Sequence, residues 1–330
     1  MSSKAETQNP ASSGGLLSRL PPVGTFGPFI ALLLACLFFA FQSDRFLSGQ
    51  NFSLILQQVM VVGVMAIGQT LIILTAGIDL SCGMVMALGS IVMAKFATDL
   101  GLSPAVAVAA GFMVCVAFGF LNGALITYVR LPPFIVTLGT LNIAFAITQV
   151  YSESQTVTGL HDALLFLGST FKVGQTSITF GTVLMLALYL LTWLVLRETV
   201  PGRHVYALGN NPEATRLMGI PAKRLLVSVY VVAGVFYAIA GLLAIARTGV
   251  GDPQAGQTDN LDSITAVVLG GTSLFGGRGM ILGTFIGAMI VGVFRNGLTL
   301  MGVPSVYQIL ITGILVILAV TTDQMSRRKG

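Results

Sequence analysis

The stretch Ile67-Gly68-Gln69-Thr70-Leu71-Ile72-Ile73-Leu74-Thr75-Ala76-Gly77-Ile78-Asp79-Leu80-Ser81 decides the fold. It closes an uncharged apolar run that begins at Phe52, and a second run follows from Leu80 to Ala97. At ~1.5 Å per residue both runs cross a hydrocarbon core of ~30 Å, the shorter only just. Asp79 between them is a lone carboxylate with long apolar neighbours, which costs several kcal/mol in lipid unless it is bonded or caps a helix. Gly77 permits a break in the chain there, and Asp79 with Ser81 suits the start of the next helix.

Composition extends this reading to the whole chain. Of 330 residues 55% are hydrophobic and 9% charged, against roughly 25% charge in an average soluble domain. The runs are continuous rather than alternating, which argues for helices and against a barrel. Further runs cover Thr25 to Gln42, Pro104 to Val129, Pro133 to Tyr151, Ile178 to Leu196, Leu225 to Ala246, Ile264 to Phe275, Met280 to Leu300 and Pro304 to Thr322. That gives an all-α integral membrane protein with about ten transmembrane helices. The run at Ile264 to Phe275 is short enough to be a half-helix. Residues 1–24 read as a disordered tail, 25–322 as the transmembrane domain and 323–330 as a second tail.

With the amino terminus inside, Lys4, Arg19, Arg130, Arg197, Arg203, Arg216, Lys223, Arg224, Arg278, Arg327, Arg328 and Lys329 fall on the inner side. Arg45, Lys95, Lys172, Arg247 and Arg295 fall on the outer side, the last near a helix end from which it would snorkel. Twelve against five satisfies the positive-inside rule and places both tails in the cytoplasm. The chain's excess of basic residues is thus a topology signal; they form no face for nucleic acid. Phe120-Leu121-Asn122-Gly123 in the fourth run is echoed by Phe294-Arg295-Asn296-Gly297 in the ninth, and Leu88-Gly89-Ser90 in the third by Leu269-Gly270-Gly271 in the eighth. Five runs separate the copies, so they point in opposite directions, as in an inverted repeat.

Catalytic sets are not assembled by this sequence. His161 and His204 fall in loops on opposite sides, no Gly-Lys pair supplies a phosphate loop, and Cys36, Cys82 and Cys115 lie singly inside apolar runs with no metal-binding spacing. The expectation is a chain that is no enzyme, binds no metal and carries no cofactor. Polar residues inside the runs are the candidates for a solute path: Gln69, Asp79, Ser81, Asn122, Thr137, Thr140, Asn142 and Asn296, with Gln57, Gln58, Gln149 and Gln308 also present. Neutral amides and hydroxyls suit hydroxyl-rich or zwitterionic solutes, and equally they bond helix to helix.

Two loops stand out. The inner loop 198–224 contains Gly202, Arg203 and then Asn211-Pro212-Glu213-Ala214-Thr215-Arg216-Leu217-Met218-Gly219. Asn211 is an N-cap, Pro212 suits the first helical position and Gly219 a stop, which predicts a two-turn helix. So short a helix needs a surface to dock on, its own membrane domain or a partner. Outside, residues 152–176 form one polar loop and 247–263 another. The second is acidic and glycine-rich, with Gly251, Asp252, Asp259 and Asp262 as candidates for docking a partner, for an external lid, or for a plain connector.

Four motifs taken together make the resemblance specific. Gly77-Ile78-Asp79-Leu80-Ser81, Pro133-Phe134-Ile135-Val136-Thr137-Leu138-Gly139-Thr140, Gly202-Arg203 with Ala207-Leu208-Gly209-Asn210-Asn211-Pro212-Glu213-Ala214 and Gly219-Ile220, and Val268-Leu269-Gly270-Gly271-Thr272-Ser273-Leu274-Phe275-Gly276-Gly277 occur in that order. Over Gln57 to the carboxyl end the chain resembles the ribose-type sugar permeases of bacterial ABC importers, within the branched-chain/ribose permease family. Phe41 to Gln69 and the loop Arg247 to Asp262 most resemble fructose permeases. Cys82 and Asn211 depart from the residues common in relatives. Asp79-Leu80-Ser81-Cys82-Gly83 stands where branched-chain amino-acid permeases have a Ser-Leu-Gly-His-Gly-like segment.

The resemblance implies a type II importer permease like that of the vitamin B12 importer, in the bacterial inner membrane. It implies a second permease copy, a cytoplasmic ABC ATPase that binds the ATP, and a periplasmic sugar-binding protein. The sugar would pass between the paired copies by alternating access. Gly202 to Ile220 would be the loop that sits in a cleft of the ATPase, with Gly202, Arg203, Asn211, Pro212, Glu213, Ala214, Arg216 and Gly219 as its coupling residues. An amino-acid or other small-solute permease, and a stand-alone facilitator or secondary transporter, are the alternatives.

Overall fold

In lipid every backbone N–H and C=O must be satisfied within its own segment, and the apolar runs accordingly fold as helices. The computed structural model describes residues 27–174 and 176–327. The expected tail 1–24, the start of the first run at Thr25, and residues 328–330 lie outside the described residues. In chain order the helices are α1 (Gly27–Gln42), α2 (Gly49–Leu74), α3 (Cys82–Thr98), α4 (Pro104–Ala124), α5 (Pro133–Ser152), α6 (Asp162–Leu165), α7 (Phe180–Glu198), α8 (Val200–Asn210), α9 (Pro212–Leu217), α10 (Ala222–Thr248), α11 (Asp259–Leu269), α12 (Ile281–Leu300) and α13 (Ser305–Arg327). Each of the ten apolar runs thus contains a helix. Six of these helices, α2, α4 with its following π-helical turn Leu125–Val129, α5, α7, α10 and α12, are long and apolar enough to cross a membrane.

Three boundaries differ from the sequence expectation. α13 continues to Arg327, past the Thr322 boundary, because no proline or glycine stands between the two. α8 turns half of the presumed inner loop into helix, started by Thr199, whose hydroxyl accepts from Gly202 N, with Pro201 in its first turn. The polar stretch after α5 is also structured: α6 leads through a 3-10 turn, Phe166–Gly168, into the antiparallel hairpin β1 (Thr170–Val173) and β2 (Thr176–Thr179). Thr170 pairs with Thr179 and Val173 with Thr176; among the described residues the β-structure is this hairpin and one bridge, Val157 to Gly251.

α2 and α10 form the centre. α2 is buried along almost its whole length from Val59 onward, and α10 packs against α2, α3 and α4, as helices that are apolar on every side must. α4, α5 and α7 keep apolar side chains such as Met113, Phe134, Val150 and Leu190 exposed, a surface fit for lipid or another apolar partner. The pairings in the two halves correspond. α3 packs on α4 and α5 as α11 packs on α12 and α13; α10 meets α3 and α4 as α2 meets α11 and α12.

Loops gather at two ends. At one, Gly277 N donates to Leu74 O (2.9 Å), Thr137 Oγ1 to Ile78 O (3.3 Å) and Tyr206 Oη to Gly279 O (3.0 Å). This is the basic end, with Arg130, Arg197, Arg203, Arg216, Lys223, Arg224 and Arg278. At the other, Val157 and Gly251 exchange backbone hydrogen bonds of 2.8 and 2.9 Å, and Lys95 Nζ reaches Tyr151 O (3.0 Å). α11 has 11 residues, ~16 Å of helix, about half of a hydrocarbon core.

Candidate functional site

The break after α2 organises the first cluster. Ala76 N donates to Ile73 O and Gly77 N to Ile72 O, with Ala76 in the left-handed region at φ 61°. This is a Schellman ending in which Ala76, one residue before the break expected at Gly77, takes the left-handed conformation. Gly77 is needed for room instead: a Cβ there would lie 2.7 Å from Tyr230 Oη and 2.9 Å from Ile72 Cγ2. Asp79 is not the N-cap of α3 either. Ser81 holds that position without a side-chain cap bond, while Asp79 Oδ1 accepts from Ser81 N (2.8 Å) and Ser81 Oγ (2.6 Å) in a local turn.

From that turn a chain of hydrogen bonds crosses the helices. Gln69 Nε2 of α2 donates to Asp79 O (2.8 Å), and Asn122 Nδ2 of α4 to Ser81 Oγ (3.0 Å). Thr140 Oγ1 of α5 donates to Asn122 Oδ1 (2.8 Å), and Tyr237 Oη of α10 to Gln69 Oε1 (3.3 Å). With Thr137, whose hydroxyl reaches Ile78 O, the structure brings together six of the eight path candidates: Gln69, Asp79, Ser81, Asn122, Thr137 and Thr140. All six are at most 3% exposed, so the cluster is dry. Sequence reasoning missed Tyr237 because an aromatic residue inside an apolar run carries no polar signal. Asn142 lies apart on the exposed face of α5, bonded to Leu138 O. Asn296 is buried in α12, and its Oδ1 has no partner.

A second cluster lies at the end opposite the basic one. Arg295 does not snorkel: its Nη1 lies 3.1 Å from Asp262 Oδ2 and 3.6 Å from Asp259 Oδ1, and its Nη2 donates to Thr258 Oγ1 (3.4 Å). The 3.1 Å ion pair lacks hydrogen-bond alignment, leaving Asp262 Oδ2 otherwise unpartnered. Burial pushes the Asp262 carboxyl up to about 6, with Arg295 opposing the shift. Of the docking candidates, Asp259 and Asp262 are therefore turned inward to Arg295, Gly251 is buried in its bridge to Val157, and Asp252 accepts from Gln254 N (2.8 Å). Beside this cluster a cavity of about 620 Å³ opens between α2, α3, α10, α12 and the start of α13. None of the eight path candidates lines it.

The third cluster is at the basic end. Asn211 Oδ1 accepts from Ala214 N (2.9 Å), which caps α9 as the sequence predicted; Pro212 begins the helix and Gly219 ends it at φ 79°. α9 has six residues, shorter than the two turns expected. Glu213 and Arg216 pair with each other at 2.6 Å, both exposed, and Leu217 and Met218 are 77% and 66% exposed. Gly202 and Arg203 lie one helix earlier, in α8.

Close packing ties α8 to the membrane helices. A Cβ on Gly209 would lie 1.8 Å from Leu74 O and 2.6 Å from Gly277 N, and one on Gly276 would meet Ala76 N at 2.8 Å. The end of α8, the end of α2 and the loop after α11 thus touch backbone to backbone. α9 follows α8 directly at Asn211, so the packed end of α8 links α9 to the residues just before Asp79. Among the described residues no group of His, Cys, Asp and Glu is arranged to hold a metal.

Comparison with known proteins finds relatives along most of the chain. Fructose import permease protein FrcC of Rhizobium meliloti is 45% identical over 307 residues, covering 91% of this chain and 85% of the relative. Ribose import permease protein RbsC of Bacillus subtilis (strain 168) is 38% identical, over 90% and 92% of the two chains. Its namesake in Escherichia coli (strain K12) is 39% identical, over 89% and 92%. No solved structure matches. The family model described as branched-chain amino acid transport system / permease component matches residues 51–320, and the chain belongs to that family of multi-pass membrane permeases.

Proposed function

We propose that this chain is the membrane-spanning subunit of an ATP-driven sugar importer in the bacterial inner membrane, with fructose or ribose as the first sugars to test. Nine helices, α1–α5, α7, α10, α12 and α13, span the membrane, and α11 enters it as a half-helix. The basic end and both termini face the cytoplasm. The halves α1–α5 and α7 with α10–α13 form an inverted repeat, a reading supported by their corresponding helix pairings. A second copy completes the pore. A periplasmic sugar-binding protein delivers the solute at the end bearing Asp252, and ATP is bound by a separate cytoplasmic ATPase.

The observation that carries this reading is α9. A six-residue helix with a good cap, exposed apolar residues Leu217 and Met218 and an exposed Glu213–Arg216 pair is built to be covered. Docked in the ATPase, it passes the closure of that partner through Gly209 to the ends of α2 and α11. Gln69, Asp79, Ser81, Asn122, Thr137 and Thr140 act as a polar seam beside the path, closed here and parted during alternating access; Asn142 faces the second copy. Replacing Glu213 and Arg216 together by alanine is expected to weaken ATPase association and abolish transport. Unchanged association and transport would refute the coupling role.

A further inference from the structure

The 620 Å³ cavity has properties that neither the seam nor α9 explains. Its volume falls within the ~300–1,000 Å³ of small-molecule sites. The charged residues in its wall are Arg247, Arg295, Asp252 and Asp259, two of each sign, so an ion of either charge meets repulsion as well as attraction. Hydrogen-bonding capacity is left unused there. Among the described residues Arg247 makes no hydrogen bond or ion pair, and Gln58 makes none, its Oε1 being buried without a partner.

Arg247 stands at the mouth, in the last turn of α10. Gln58 lines the same cavity from α2, nine residues after Gly49. Gly256 in the cavity wall touches Gly83 so closely that a Cβ on Gly83 would lie 2.1 Å from Gly256 O. Two glycine backbones therefore close the floor between the cavity and the Asp79 turn. A guanidinium offers several donors in a fixed fork, and a primary amide offers donors and an acceptor. Adjacent hydroxyl groups, each a donor and an acceptor, match that pair.

We propose that the cavity is a binding site, within each single chain, for a neutral polyhydroxylated ring held between Arg247 and Gln58. This rests on the sugar-importer reading and adds a place where the sugar stands in each chain before it enters the path completed by the second copy.

The test uses the full chain in nanodiscs with Ala255→Cys, a half-buried wall position, labelled by a membrane-impermeant maleimide above the background of the unsubstituted chain. Fructose or ribose is expected to slow labelling by about threefold or more at saturation, and gluconate and glucosamine to leave it unchanged. Adding Arg247→Gln or Gln58→Leu is expected to abolish protection while unprotected labelling persists, with sugar binding about tenfold weaker. Absence of protection, protection that survives both substitutions, or equal protection by gluconate would overturn the proposal. In the importer assembled with its ATPase and binding protein, sugar transport unaffected by either substitution would overturn the site and leave the importer reading standing. Sugar transport absent from the unsubstituted assembly would overturn the importer reading itself.

Discussion

The Asp79 seam and the cavity under Arg247 both carry amides, hydroxyls and carboxylates, yet the seam is buried and bonded while the cavity is open with bonds unmade. In the seam Asp79, Ser81, Asn122 and Thr140 hand hydrogen bonds from one helix to the next. In the cavity Gln58 and Arg247 have no partner. A buried polar group that is already paired stabilises the helices it joins, and a group left unpaired at a cavity wall is available to a solute. Polarity inside an apolar run therefore serves two ends: paired, it joins helices; unpaired beside a void, it is open to a solute.

The largest stability change expected is at the seam. Asp79→Ala leaves the Ser81 amide and hydroxyl without their acceptor and should cost ~3 kcal/mol, seen as a lowered unfolding midpoint in detergent, with Asp79→Asn costing less than half of that. A silent Asp79→Ala would mean that water fills the turn and that the contrast with the cavity fails. Gly209→Ala comes next: its Cβ collides with the backbone of Leu74, which should cost about 1–3 kcal/mol. Transport should fall further than ATPase association if α8 transmits motion to α2.

The acidic cluster gives a pH signature. Burial holds the Asp262 carboxyl at about 6 in the folded chain, above the ~3.9 of a free aspartate. The folded state therefore binds this proton more tightly, so its contribution to stability is full below about pH 4 and is lost as the pH rises through about 6. Asp262→Asn should remove that slope from the unfolding midpoint measured between pH 4 and 7; an unchanged slope would place the titration elsewhere. The smallest stability effect is expected for Glu213→Ala, because water screens its exposed pair with Arg216. Its effect should appear in ATPase association rather than in unfolding.

Much of this molecule is legible from the chain alone, for reasons that differ by region. Long apolar runs become helices because lipid leaves the backbone no other partner, and the cap at Asn211 forms as read because it depends on residues three apart. What was not legible depends on long-range geometry. Arg295 looked like a snorkelling side chain because Asp259 and Asp262 lie more than thirty positions away in sequence. Tyr237 joins the seam only because α10 packs on α2. Ala76 rather than Gly77 takes the left-handed turn, and Gly77 is required by Tyr230, which packs beside it from α10. The hairpin after α6 is too short to show a period of two above the surrounding polar sequence.

Uptake of labelled fructose and ribose into proteoliposomes tests the central claim most directly. The chain alone should admit neither sugar, and uptake should require the ATPase, ATP and the sugar-binding protein together. Saturable uptake by the chain without ATPase or ATP would identify a stand-alone transporter and contradict the account.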